Sequence, residues 1–104
     1  MDELILILTT MPDDAQADGL AAALVGEKLA ACVNVHAPMM STYRWKGAIE
    51  REAERQIVIK TTRARLPALE ARLKTLHPYE LPELVVLGAE ASAAYGRWVI
   101  DMSG

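Results

Sequence analysis

Ser41-Thr42-Tyr43-Arg44-Trp45, Lys46-Gly47-Ala48 and the run from Ile49 to Thr62 decide the architecture of this chain. The first group mixes β-branched and aromatic residues and reads as a strand. Lys46-Gly47-Ala48 supplies a turn, its glycine free to take a positive φ. The return strand closes on Gln56-Ile57-Val58-Ile59-Lys60-Thr61. Glu50-Arg51-Glu52-Ala53-Glu54-Arg55 has a helical composition, but it lies between strand segments and is read as their continuation, a solvated, salt-laced ribbon. At about 3.3 Å per residue, Ala48 to Thr62 would span roughly 45–50 Å. A compact domain of this size has a radius of gyration of only about 13 Å. The hairpin is therefore expected to project beyond its own domain, with Trp45 near its tip and pairing edges left open.

Working outward toward the N-terminus, Cys32-Val33-Asn34-Val35-His36 is a second strand, interrupted at Pro38. A helix precedes it, running to about Leu29, with Leu20 and Leu24 on one stripe. Asp13 is the expected N-cap, with Gln16 three residues on. Gly19 and Gly26 inside this helix are read as sites of close packing on a sheet. Before the helix, Leu4-Ile5-Leu6-Ile7-Leu8-Thr9-Thr10 is a continuous apolar strand broken by Met11-Pro12. Toward the C-terminus, Leu66, Leu69, Leu73 and Leu76 fall at helical steps, with Pro67 in the first turn where its missing N–H costs little. His77-Pro78 ends that helix. Leu84-Val85-Val86-Leu87 is a further strand, and Ser92 caps a last helix carrying Tyr95, Trp98 and Val99. The order β-α-β-β-α-β plus a terminal helix predicts one α+β domain over residues 1–104. Its expected form is ferredoxin-like, an antiparallel sheet with helices on one face.

Helices on one face would leave the other face to water, which calls for strict alternation of apolar and polar residues. The first and last strands do not alternate. That, with the overhanging hairpin, predicts self-association into a closed ring. Eleven basic and fourteen acidic residues, a net charge of −3, leave no footprint for nucleic acid or an anionic membrane. A single cysteine, Cys32, excludes an internal disulfide and fits a reducing compartment. The acidic start at Asp2-Glu3 does not read as a secretion signal, so a cytoplasmic location is expected.

Catalytic constellations are scarce: no nucleophile elbow, no glycine-rich phosphate loop and no CxxC pair occurs. An enzyme is the least expected outcome. Met39-Met40 could offer thioethers to Cu(I), although packing at a strand break is the plainer use. Lys60 ends an apolar strand, where a lysine needs water or a carboxylate, and Glu83 and Tyr79 are its expected partners. His77 reads either as a helix C-terminal cap or as a metal ligand.

At His77-Pro78-Tyr79-Glu80-Leu81-Pro82-Glu83 the sequence resembles the CutA family of divalent-cation tolerance proteins. Thr10-Met11-Pro12-Asp13, Glu27 to Asn34, Tyr43-Arg44-Trp45-Lys46-Gly47, Ile59-Lys60-Thr61-Thr62 and Tyr95-x-x-Trp98 are similar to the family's other blocks, in order. The resemblance implies a ferredoxin-like subunit in a P-II-like trimer and a non-enzymatic role in tolerance of Cu(II) or another divalent metal. It also implies, as an alternative, an anionic small molecule held between subunits by Lys60 with Tyr43, Trp45, Tyr79 and Glu83, or an unknown protein anchored to the trimer. Where family members carry a Cys and a His-His pair as copper ligands, this chain has Thr9 and Leu76-His77, so only His77 remains of that set.

Overall fold

The structure is a computed structural model and describes residues 2–104. In chain order the elements are β1 (Leu4–Pro12), α1 (Ala15–Gly26), β2 (Cys32–Val35), β3 (Met39–Trp45), β4 (Ala48–Thr62), α2 (Leu66–Leu76), β5 (Val85–Ala89) and α3 (Ala93–Met102). The strands form one antiparallel sheet in the order β2-β4-β1-β5, with β3 also pairing with β4. This is the expected ferredoxin-like arrangement with the edge strand split in two.

β4 is the spine. Its C-terminal part pairs with β1 from Leu4↔Thr62 to Pro12↔Glu54, and with β2 from Cys32↔Lys60 to Val35↔Ile57. Its N-terminal part, from Ala48 to Glu54, pairs with β3. Strand alternation then sorts the side chains. Ile5, Ile7, Thr9 and Met11 of β1, with Ile57, Ile59 and Thr61 of β4, are buried on one face. Ala17, Leu20 and Leu24 of α1 and Leu69 and Leu73 of α2 complete that core.

The second face is only partly covered. α3 lies across one end of it: Val99 is fully buried, Lys60 faces Tyr95, and Gly96 approaches Leu4. Between α3 and the other end, Leu6, Leu8 and Val58 stay half-buried while Val85 and Leu87 are exposed. The apolar run of β1 is thus not enclosed on both sides within one chain. The hairpin projects as expected, giving a molecule 45 × 24 × 23 Å in extent. From Ala48 to Glu52, β4 has a partner on one edge alone.

Several local expectations are corrected. β1 runs on through Met11-Pro12, which moves the N-cap from Asp13 to Asp14. The Asp14 carboxylate accepts from the Gln16 backbone N–H at 2.9 Å, and Asp13 is freed to pair with Arg55 at 2.9 Å. α1 stops at Gly26 rather than Leu29. Lys28 takes a left-handed φ of 60°, Lys28 N–H donates to Val25 O and Leu29 N–H to Leu24 O. That pair of bonds is a Schellman closure, here with a lysine where glycine is preferred. At the hairpin tip Lys46 and Gly47 both have positive φ, 48° and 83°, as a two-residue turn matched to strand twist requires.

Gly26 does not pack closely on anything, and neither does Gly19: a Cβ at either would meet nothing within 4 Å. The cost of Gly19 as a mid-helix glycine therefore has no local compensation. Gly19→Ala should raise stability by about 1 kcal/mol, seen as a higher urea midpoint with an unchanged slope; an unchanged or lower midpoint would contradict this packing.

An acidic cleft between the hairpin and the loop after α2

Pairing of Tyr43↔Glu50, Ser41↔Glu52 and Met39↔Glu54 sets these side chains on one face of the hairpin. That face, with Trp45, Gln56 and Thr10, forms the floor of a cleft of about 920 Å³. Its wall is the segment Pro78 to Val85, which leaves α2 and runs alongside the hairpin. Met40, on the next position of β3, points to the opposite face and is exposed, so Met39 and Met40 make no thioether pair.

The wall is latched to the sheet by three side chains. His77 is 8% exposed, and its Nε2 lies 2.7 Å from the Thr10 carbonyl and 3.3 Å from Thr9 Oγ1. Its Nδ1 accepts from the Tyr79 backbone N–H at 3.2 Å, which leaves the proton on Nε2 to be donated to Thr10 O. Tyr79 Oη donates to Glu54 Oε2 at 2.6 Å. The Gln56 amide donates to Thr9 O at 2.7 Å and to Glu83 Oε2 at 3.3 Å.

Burial lowers the His77 pKa, opposed by the Thr10 carbonyl and by Glu54. Burial, and then the Glu54 carboxylate, hold the Tyr79 phenol above its ordinary range. Burial, then Glu52, raise Tyr43. Both phenols therefore remain protonated donors at neutral pH.

Glu50, Glu52, Glu54, Glu80 and Glu83 line the cleft. Glu54 is 5% exposed, so the reading of Glu50, Glu52 and Glu54 as a solvated row is corrected for Glu54; Glu52 is exposed and Glu50 half-buried. Arg51 and Arg55 point to the other face, as strand alternation requires, and Arg55 pairs there with Asp13. Lys46, 5.6 Å over the Trp45 ring, reaches Glu80 at 3.7 Å at the cleft mouth. Among the described residues no basic side chain comes within 4 Å of Glu50, Glu52, Glu54 or Glu83.

Of the residues singled out from the sequence, Tyr43, Trp45, Tyr79 and Glu83 meet in this cleft. Lys60 does not. It lies in a separate hollow of about 150 Å³ beside α3, its Nζ 6.0 Å from the Tyr95 ring centroid, and makes no ion pair with Glu83. His77 sits behind the wall with both ring nitrogens engaged, so no lone pair is free for a metal ion as the loop stands. No group of three or more His, Cys, Asp or Glu is placed to hold a metal ion among the described residues. Gln56 and Glu80 escaped the sequence reading. The acid positions two apart were visible, but what faces them is set by the tertiary path of the loop.

A ferredoxin-like sheet whose hairpin and loop enclose a carboxylate-rich cleft defines an α+β protein of one recognisable class. The CutA1 divalent ion tolerance protein family matches residues 5–102. The chain belongs to that family. It is 42% identical to the divalent-cation tolerance protein CutA of Thermus thermophilus, over the whole of both chains. It is 46% identical to the protein of that name from Salmonella newport over 82% of this chain and 74% of that one. The solved CutA structure from Synechococcus elongatus superposes with a TM-score of 0.91 at 45% identity, covering 100% of this chain and 93% of the other. The Thermus thermophilus structure gives 0.93 at 40% identity, with 97% and 99% covered.

His77→Ala would strand the Tyr79 N–H and the Thr10 carbonyl, and should destabilise the protein by about 1–3 kcal/mol. Because burial lowers the His77 pKa from 6.5, the unfolded chain takes up the proton first as pH falls. Its contribution is therefore complete above about pH 6.5 and is lost progressively below it. Denaturant titrations at pH 7.5 and pH 5.5 should show the wild type losing more stability than His77→Gln; equal losses would refute the assignment.

Proposed function

We propose that the chain acts as a cytoplasmic, non-enzymatic homotrimer that draws a divalent metal ion, Cu(II) among them, to the negative field of the cleft, although no three of its carboxylates converge on one point among the described residues. The observation that carries this reading is the set Glu50, Glu52, Glu54 and Glu83, gathered in one cleft with no basic side chain within 4 Å among the described residues. Such a surface attracts cations, and oxygen donors accept divalent ions with Cu(II) favoured by intrinsic affinity. Membership in a divalent ion tolerance family agrees with a cation as the ligand.

An anionic ligand fits less well. The walls of the cleft carry negative charge. The trimer is supported by two features of the single chain. Val85 and Leu87 are exposed on a sheet face that continues into half-buried Leu6, Leu8 and Val58, and the β4 edge away from β3 is unpaired from Ala48 to Glu52. A closed ring of copies would cover both.

Light scattering should give the mass of three 11.4 kDa chains rather than one; a monomer at micromolar concentration would exclude the assembly. Calorimetric titration with Cu(II) should show binding that weakens at least about tenfold, some 1.4 kcal/mol, in a triple Glu50→Gln, Glu52→Gln, Glu83→Gln variant. Equal binding by wild type and variant would remove the cleft from the account.

A further inference from the structure

The hairpin arm sorts its charge by face. Glu50, Glu52 and Glu54 look into the cleft, and the alternate positions Ile49, Arg51 and Ala53 turn away from it. On this back face the register sets Met40 opposite Ala53, Thr42 opposite Arg51 and Arg44 opposite Ile49. All of these residues are exposed. Arg55, tied to Asp13 at 2.9 Å, is the last position of that face held by the body of the domain.

Arg44 and Arg51 are diagonal neighbours across the strand pair, about 7–8 Å apart. Among the described residues neither has a carboxylate within 4 Å. Two like charges placed so close repel, and no acid beside them offsets the cost. Met40 is 56% exposed and Ile49 60% exposed, more than any other large apolar side chain except Leu81. Isolated apolar residues on a surface are ordinary, but these two flank a pair of unneutralised guanidiniums.

This combination selects a partner by its chemistry. A guanidinium fork matches a carboxylate bidentately, and an exposed aliphatic chain beside it receives an apolar side chain. From the body toward the tip, the levels are Met40, then Arg51, then Arg44 with Ile49, each about 7 Å from the last. An extended peptide repeats at that same interval along one side. Polyanions suit the strip poorly. The chain carries a net charge of −3, and the glutamate row lies only a sheet's thickness behind the arginines. Beyond a Debye length of about 8 Å the two rows offset each other, so a nucleic acid or an anionic membrane is not drawn in. A short acidic segment in contact feels chiefly the guanidiniums.

We infer that the back face of the arm is a docking strip for an extended acidic segment of a partner protein. The segment carries an apolar residue followed by carboxylates at the second and fourth positions after it. The apolar residue rests on Met40, and the carboxylates pair with Arg51 and Arg44. Neither the cleft nor the sheet face assigned above to self-association takes part, so the strip is independent of both.

Fluorescence anisotropy of a dye-labelled Leu-Ser-Glu-Ser-Glu peptide against the full chain tests the strip. Binding with a dissociation constant on the order of 1 mM or tighter is expected. It should weaken at least about tenfold in the double variant Arg44→Gln, Arg51→Gln, because two charge-assisted pairs are lost. The peptide Leu-Ser-Gln-Ser-Gln should bind as poorly. Both arginines are exposed, so the urea midpoint of the variant should match the wild type. No binding by the wild type, or equal binding by the double variant or of the glutamine peptide, overturns the inference. So does tighter binding of a single-stranded oligothymidylate or of phosphatidylserine vesicles with the same dependence on both arginines, which would assign the strip to that partner. In 15N-labelled wild-type protein the peptide should shift the amide signals of Met40, Arg44, Ile49 and Arg51 and leave those of Tyr79 and Glu83 in place. The reverse pattern would put the peptide in the cleft and overturn the strip.

Discussion

Everything in this molecule hangs on the antiparallel pairing of a fifteen-residue strand with partners that each cover only part of it. Between Glu54 and Thr62, β4 is flanked by β1 and belongs to the core. Between Ala48 and Glu52 only β3 accompanies it. One alternation rule, continued without a bulge, serves both halves. The face that presents Lys60 and Val58 near the core therefore presents Gln56, Glu54, Glu52 and Glu50 along the arm. The hydrophobic demand of Ile57 and Ile59 for burial thus fixes where the acids point, many residues away.

The cleft exists because the chain leaves α2 on that same side and is pinned there. His77 and Tyr79 act in sequence: the imidazole orders the first turn of the loop against β1, and the phenol reaches across to the one buried glutamate. Neither group is free for chemistry of its own. What they leave facing solvent is a surface of carboxylates, an amide and aromatic rings, whose negative charge attracts cations.

The fold was readable because its signals are redundant. Leu66, Leu69, Leu73 and Leu76 mark one helix, Pro67 opens it, and the Lys46-Gly47 turn allows a single hairpin register. The ends of α1 were misplaced because they turn on details that compete locally. Two aspartates stand side by side at its start, and Lys28 adopts a conformation usually taken by glycine. The site was half legible. Tyr43, Trp45, Tyr79 and Glu83 were named from motif and position, and they converge. Glu50, Glu52 and Glu54 were seen to share a face, but a sequence does not say whether that face meets water or a returning loop. Lys60 was assigned to Glu83 on proximity along the sheet, and the distance of four strand positions defeats that pairing within one chain.

The break between β2 and β3 has a mechanical meaning. Around Arg55 and Gln56 the neighbouring edge supplies just the His36 N–H, bonded to the Gln56 carbonyl at 3.0 Å, while β1 is about to end at Pro12. The sheet is two strands wide there, β1 and β4, before β3 takes over from β1 along the arm. The Tyr79–Glu54 and Gln56–Glu83 bonds span that joint like guy-lines. Slackening either would let the arm swing about the joint, and the width of the acidic channel would vary with its angle.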